Sequence, residues 1–223
     1  MNFINPPYLL YKFTRRKIIW RIQTDKPVIY LTFDDGPNPE ITSFVLKTLE
    51  AFKAKATFFC VGDNVRKYPD IFDEIKSLGH KIGNHTFNHL NGWKTHTENY
   101  IENIYKCGNY FTTDLFRPPY GKMKASQLLK IRKKFAVVFW SVLSCDYDQH
   151  ITKEECLNNT DLFTGKGSVV VFHDNLKAKE NLYFALPRFL ENFSNRGYSF
   201  EVITKELCEE TFSRRFKTFK NVN

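Results

Sequence analysis

"VIYLTFDDGPNPEITSFVLKTLEAF", residues 28–52, changes its period in the middle. Val28 to Phe33 is a continuous apolar, β-branched run, the pattern of a strand buried on both faces. From Ile41 on, the apolar residues Ile41, Phe44, Val45, Leu49 and Phe52 fall at helical spacing. Two adjacent carboxylates, Asp34 and Asp35, stand between strand and helix, followed by Gly36 and Pro37. Asp, Gly, Pro and Asn are turn formers, so a turn explains the composition. It does not explain two like charges where a buried strand ends.

The same unit recurs along the chain. "KATFFCVG" (Lys55 to Gly62), "HKIGNH" (His80 to His85), a short strand from Leu115, "AVVFWSV" (Ala136 to Val142), "GSVVVFHD" (Gly167 to Asp174) and "YSFEVIT" (Tyr198 to Thr204) read as further strands. Helical patterns lie between them: Val65 to Leu78, a stretch within Glu98 to Phe111, Ser126 to Lys134, about Thr152 to Phe163, and Leu182 to Arg196 with Pro187 interrupting its middle. Alternating strand and helix over 223 residues, with no repeat or flexible linker, implies a single α/β domain over 1–223 with a parallel sheet. Seven units fit a barrel or an open doubly wound sheet.

Polar residues collect at the strand ends. Asp34 and Asp35 end the first strand, His85 the third, Arg117 the fourth and His173 the sixth, while Asp146 lies just past the fifth. That edge is where parallel α/β folds carry their chemistry. In "HTFNH", His85 and His89 are at i and i+4, a spacing that puts both imidazoles on one side of a helical turn. With an Asp from another strand end they complete a two-histidine, one-carboxylate set for a divalent metal. His80, His96 and His150 have no such context and read as structural or surface residues. Adjacent Asp residues in extended backbone point opposite ways. Where the backbone turns, one can bind metal while the other reaches the water beside it, which supplies a Lewis acid and a base.

"TFDDGP", "HTFNH", "RPPYG", "WSVLSCDY" and "VFHD", in this order, resemble the five motifs of the polysaccharide deacetylase family, over about Val28 to Thr204. The resemblance implies a distorted seven-stranded (β/α) barrel. It implies removal of acetyl groups from N-acetylated sugars by general acid/base attack of a metal-bound water. Asp34 would be the catalytic base, and Asp35, His85 and His89 would hold one divalent metal, usually zinc, with cobalt or nickel able to substitute. Arg117 would orient Asp34, the Tyr120 N–H would stabilise the oxyanion, and His173 would be the acid, tuned by Asp146. Pro119, Tyr120 and Tyr147 would contact substrate. Three positions depart from the family pattern: Leu143 and Tyr147 replace its usual Asp and Trp in the fourth motif, and Val171 replaces the Leu of the fifth. An O-acetyl esterase of the xylan type or a non-catalytic carbohydrate-binding relative are the competing readings.

Bulk properties narrow the field further. Net charge is +9 and the pI about 9.2, but much of the charge is at the two ends, as with Lys12, Arg15, Arg16, Lys17 and Arg21. No zinc-finger, helix-turn-helix or RNP-like signal accompanies it, so no nucleic-acid partner is expected. Five cysteines without a CxxC pair read as reduced, buried thiols. No apolar run is long enough for a membrane span. The first twenty residues lack a signal-peptide core and cleavage site, which points to the cytoplasm, whereas members of the resembled family often act on cell-wall or extracellular polymers, so localisation stays open. They read first as a segment packed against the domain, with a basic, aromatic helix in weak contact with a membrane surface as the alternative.

Overall fold

The computed structural model describes residues 4–6 and 8–220, with side chains described as far as Arg214. A short surface helix, α1 (Tyr8–Thr14), leads into β1 (Val28–Asp34) and α2 (Pro39–Ala51). There follow β2 (Ala56–Cys60), α3 (Gly62–Lys67), α4 (Pro69–Ser77), β3 (Lys81–Asn84) and α5 (Thr97–Lys106). Next come β4 (Leu115–Phe116), a 3₁₀ turn at Pro119–Gly121, α6 (Ala125–Ile131), β5 (Ala136–Val137) and β6 (Val142–Leu143). The chain continues with α7 (Lys153–Asp161), β7 (Val169–His173), α8 (Lys179–Asn195), β8 (Ser199–Phe200) and α9 (Lys205–Lys220).

All strand pairs are parallel, in the order β5-β4-β3-β2-β1-β7-β6, and β8 pairs with the start of β1. The expected distorted seven-stranded barrel is what forms, curled but incompletely closed. Its fifth strand differs from the expectation. Instead of one run from Ala136 to Val142, β5 pairs with β4 and β6 pairs with β7, and Val138 to Ser141 between them belongs to neither ladder. The N-terminal segment bridges the break: Ile19 bonds to Val137 and Phe139, and Ile22 bonds to Gly167. The last strand is also shorter than expected, two residues of the Tyr198–Thr204 run.

β1 is buried throughout, as its continuous apolar run requires. Ile29, Leu31 and Phe33 face outward against α2 and α8, with Phe33 stacked between Phe58 and Phe172. Val28 and Tyr30 face inward with Phe59, Leu115, Val138 and Val169. Period-two alternation therefore puts Thr32 and Asp34 on the inner side. α8 continues through Pro187 rather than breaking there. An internal proline costs a helix about 3 kcal/mol. Leu182, Leu186, Phe189, Leu190 and Phe193 on the same helix are fully buried, at about 1.5–3 kcal/mol each. The expected helix from Val65 to Leu78 does break, at Tyr68 before Pro69, where a residue preceding proline avoids the helical region. All five cysteines are buried and none is in a disulfide.

Candidate active site

The register of the central ladders puts the polar residues side by side. Asp34 pairs with Phe59 on one flank and with His173 on the other. Asp34 is 4% exposed, and Arg117, one residue past β4, is fully buried. The Arg117 Nη1 donates to Asp34 Oδ1 and to Thr32 Oγ1, each at 2.7 Å. Its Nε and Nη2 donate to the carbonyls of Val138 and Phe139 at 3.1 and 3.0 Å. Both carbonyls lie between β5 and β6, in the stretch that the N-terminal segment bridges through Ile19. The guanidinium also stacks on Phe59 at 4.1 Å. Burial pushes the Arg117 pKa down, and the neighbouring Asp34 opposes that shift.

Asp35 takes a left-handed backbone, φ 85°, directly after the strand ends. This reverses the outward direction that the next extended residue would have. Its Oδ1 lies 3.0 Å from His89 Nε2 and 3.6 Å from His85 Nε2, and Asp34 Oδ2 is 4.0 Å from the same His85 nitrogen. The adjacent carboxylates thus serve one site. The turn beyond them is held by Asp174, whose carboxylate accepts from the Gly36 N–H at 2.9 Å and the Thr42 hydroxyl at 2.6 Å. A Cβ at Gly36 would sit 1.9 Å from Asp174 Oδ2, so only glycine fits. Burial raises the Asp174 carboxyl to about 7.

His85 and His89 come together, with ring centroids 5.1 Å apart, but not on a helical turn. Thr86 and His89 have φ of 64° and 55°, which no right-handed helix accommodates. A tight loop replaces the helix because side chains satisfy its backbone. Asn84 Oδ1 accepts from Thr86 N–H, Asn103 Oδ1 from Phe87 and Asn88, and Thr86 Oγ1 from Leu90. His85 Nδ1 lies 2.8 Å from the Arg117 carbonyl, which can only accept. That assigns the proton to Nδ1 and turns the Nε2 lone pair into the site. Burial keeps this imidazole neutral, with its pKa lowered to about 4. Burial alone would raise the Asp35 pKa, but the His89 hydrogen bond and the nearby His173 and His85 bring it below the usual carboxylate range.

Asp35, His85 and His89 form the one potential metal cluster among the described residues, their ligand atoms all within 4.8 Å of one another. Two imidazole nitrogens and one carboxylate oxygen, with one imidazole held neutral, fit a divalent cation that keeps open positions.

Across the site, Asp146 is fully buried and grips His173 twice: Oδ2 accepts its backbone N–H and Oδ1 its Nδ1–H, both at 2.7 Å. Burial disfavours a charged His173, but Asp146 outweighs it and raises the pKa to about 9. The Tyr147 ring meets His173 edge-on at 4.7 Å. Leu143, Cys145 and Val171 form a small apolar cluster beside them. On the opposite rim Tyr120 sits at φ 61°, 59% exposed, with its ring 4.6 Å from His89. Pro119 is buried, so Tyr120 is the groove-facing residue of that turn. His80 is structural: its ring accepts the Ala56 N–H, and burial lowers its pKa to about 4.

Sequence reasoning missed the residues that hold Asp35. Asn175 Nδ2 donates to Asp35 Oδ2 at 2.5 Å, and Asn64 Nδ2 donates to the Asp35 carbonyl at 2.8 Å. The Asn175 amide cannot flip, because its Oδ1 caps the following turn by accepting from Lys177 and Ala178. An asparagine just after a strand reads in sequence only as a cap, and its second contact spans 140 residues.

A strand-edge site of this kind, with a potential metal cluster between a buried carboxylate–arginine pair and a carboxylate–histidine pair, has the groups that a hydrolase of the (β/α) class uses. The polysaccharide deacetylase family model matches residues 21–139, and the chain belongs to that family. It is 32% identical to a peptidoglycan-N-acetylglucosamine deacetylase of Bacillus cereus over 199 residues, 85% of this chain and 92% of the relative. A chitooligosaccharide deacetylase of Azorhizobium caulinodans is 36% identical over 171 residues, 72% of this chain and 80% of the relative. The crystal structure of a peptidoglycan N-acetylglucosamine deacetylase superposes with a TM-score of 0.79 at 29% identity, covering 86% of this chain and 94% of that one.

Proposed function

We propose that this enzyme hydrolyses the N-acetyl group of N-acetylglucosamine units in an oligo- or polysaccharide, with one divalent metal, zinc in the first place, held by Asp35, His85 and His89. Cobalt or nickel would substitute, since the donors are of intermediate softness. The observation that carries this reading is the flanking of the metal set by two different carboxylate–cation pairs, Asp34–Arg117 and Asp146–His173. A bound cation supplies the Lewis acid that polarises the acetyl carbonyl and makes nearby water acidic.

Asp34 takes the proton of the attacking water. Arg117 occupies Oδ1 and leaves Oδ2 for that proton. The Tyr120 N–H donates to the oxyanion as the carbonyl carbon becomes tetrahedral. An amine is a poor leaving group unless protonated. His173, charged at neutral pH, gives its Nε2 proton to the departing nitrogen while Asp146 keeps Nδ1–H in place. Acetate and a free amino sugar result. The reading is tested by measuring acetate from chitooligosaccharide, peptidoglycan and acetylxylan with chelated and metal-restored enzyme. N-acetyl substrates should release acetate only when metal is present. Release from acetylxylan alone, or full activity without metal, overturns it.

A further inference from the structure

α1 has no buried residue, although four of its seven residues are large apolar side chains more than 45% exposed: Tyr8 71%, Leu9 64%, Leu10 46% and Phe13 77%. A helix this short is not stable in water by itself, since isolated helices below about 12 residues are marginal. Tyr11 packs against the cluster containing Trp20, Tyr100 and Ile104, and Thr14 Oγ1 accepts from the Trp20 indole at 3.0 Å. Helical spacing turns Leu9 and Phe13 directly away from Tyr11, as a ridge at i and i+4. Lys12 on the helix and Arg16 and Lys17 just past its end are exposed as well.

The segment that carries the ridge has charge of one sign. The first acidic residue of the chain is Asp25, so residues 1–24 contain five cations and no carboxylate. A second copy of the same face would bring cation against cation. An apolar ridge on a cationic segment matches a surface that is apolar below and anionic at its boundary. We propose that α1 is an interfacial anchor that seats the enzyme on an anionic lipid bilayer, with Leu9, Leu10 and Phe13 in the acyl boundary and Lys12, Arg16 and Lys17 at the headgroups. Its binding should be reversible, since the ridge is short and no helix of the described residues is long and apolar enough to cross a membrane.

Co-sedimentation of the full chain with vesicles decides the matter. Binding to phosphatidylglycerol–phosphatidylcholine vesicles should exceed binding to phosphatidylcholine alone by about tenfold or more, and should fall as salt is raised. Leu9→Ser with Phe13→Ser should abolish it, and Arg16→Glu with Lys17→Glu should abolish it separately. Acetate release from a soluble chitooligosaccharide should be unchanged in both double variants, because these side chains lie outside the site. If the apolar variant fails to fold, the charge variant and the salt series on the unaltered chain still give the answer. Equal binding to neutral and anionic vesicles, or no binding to either, overturns the proposal. So does concentration-dependent dimerisation lost in the Leu9→Ser, Phe13→Ser variant, which would make a second copy the occupant.

Discussion

The two halves of the site handle charge differently. On the side of β1, β3 and β4, Arg117, Asp34, Asp35 and His85 are locked by paired charges and by hydrogen bonds to backbone and side chains, and neighbouring strands fix their spacing. On the side of β6 and β7, one buried carboxylate serves one histidine, and the surroundings are Leu143, Cys145, Val171 and Tyr147. The first half lies within the residues that match the family model; Asp146 and His173 fall beyond its end at residue 139. The three departures from the family pattern all sit in the second half. Under the proposed roles, a change in the first half would remove a charge or a metal ligand. A change beside His173 would alter size and polarity next to the proposed acid while leaving the Asp146–His173 pair in place.

Four experiments sharpen or break this contrast. Asp34→Asn should reduce turnover by roughly 10²–10⁴, the worth of a positioned base, while metal content by elemental analysis stays near one per chain. If metal is lost and turnover is not, Asp34 and Asp35 have exchanged roles.

His173→Ala on folded, metal-loaded enzyme should depress N-deacetylation about 10²-fold or more, yet leave hydrolysis of an activated aryl acetate far less affected. An aryl oxide leaves without a proton. Equal losses on both substrates would mean that His173 is not the acid.

Asn175→Ser keeps a good capping residue but cannot reach Asp35. Metal affinity, measured by competition with a chromophoric chelator, should fall about 10–100-fold, the usual effect of losing a partner behind a ligand. The melting temperature of the metal-free protein should hardly move. A large drop in that temperature with unchanged metal affinity would make Asn175 a cap and nothing more.

Asp146→Asn should move the alkaline limb of the pH–rate profile downward, since the carboxylate is what lifts His173 to about 9. The same pair contributes to folding. The folded-state pKa lies above the unfolded value of about 6.5, so the contribution is complete below that pH and is lost as pH rises through about 9. Thermal melts across that window should lose stability in the parent chain and show a smaller change in the variant. An unmoved limb would detach Asp146 from the acid.

Much of this was legible in the residue order. Period-two and period-3.6 runs gave the alternation, and carboxylates or imidazoles at strand ends gave the site, because both signals are local. Pro187 and "HTFNH" misled for opposite reasons. Pro187 carried a strong local penalty that buried neighbours on α8 overrode, while the i, i+4 histidines suggested a helix that Asn84, Asn103 and Thr86 replaced with a loop. The break in the fifth strand had no local signal at all.

By itself, the sequence determined the strand–helix alternation, the presence of every charged and ligating side chain at a strand end, and a cationic, acid-free N-terminus. These follow from hydrophobic periodicity and composition, which need no partner elsewhere in the chain. Tertiary structure alone decided how those groups meet. The left-handed turn at Asp35 is held by Asn64, Asn175 and Asp174, the Arg117 fork is satisfied by the carbonyls of Val138 and Phe139 between β5 and β6, and Asp146 grips His173 across 27 residues. Each is a long-range hydrogen bond whose geometry depends on the register of the parallel ladders, and register is set only when the strands pack together.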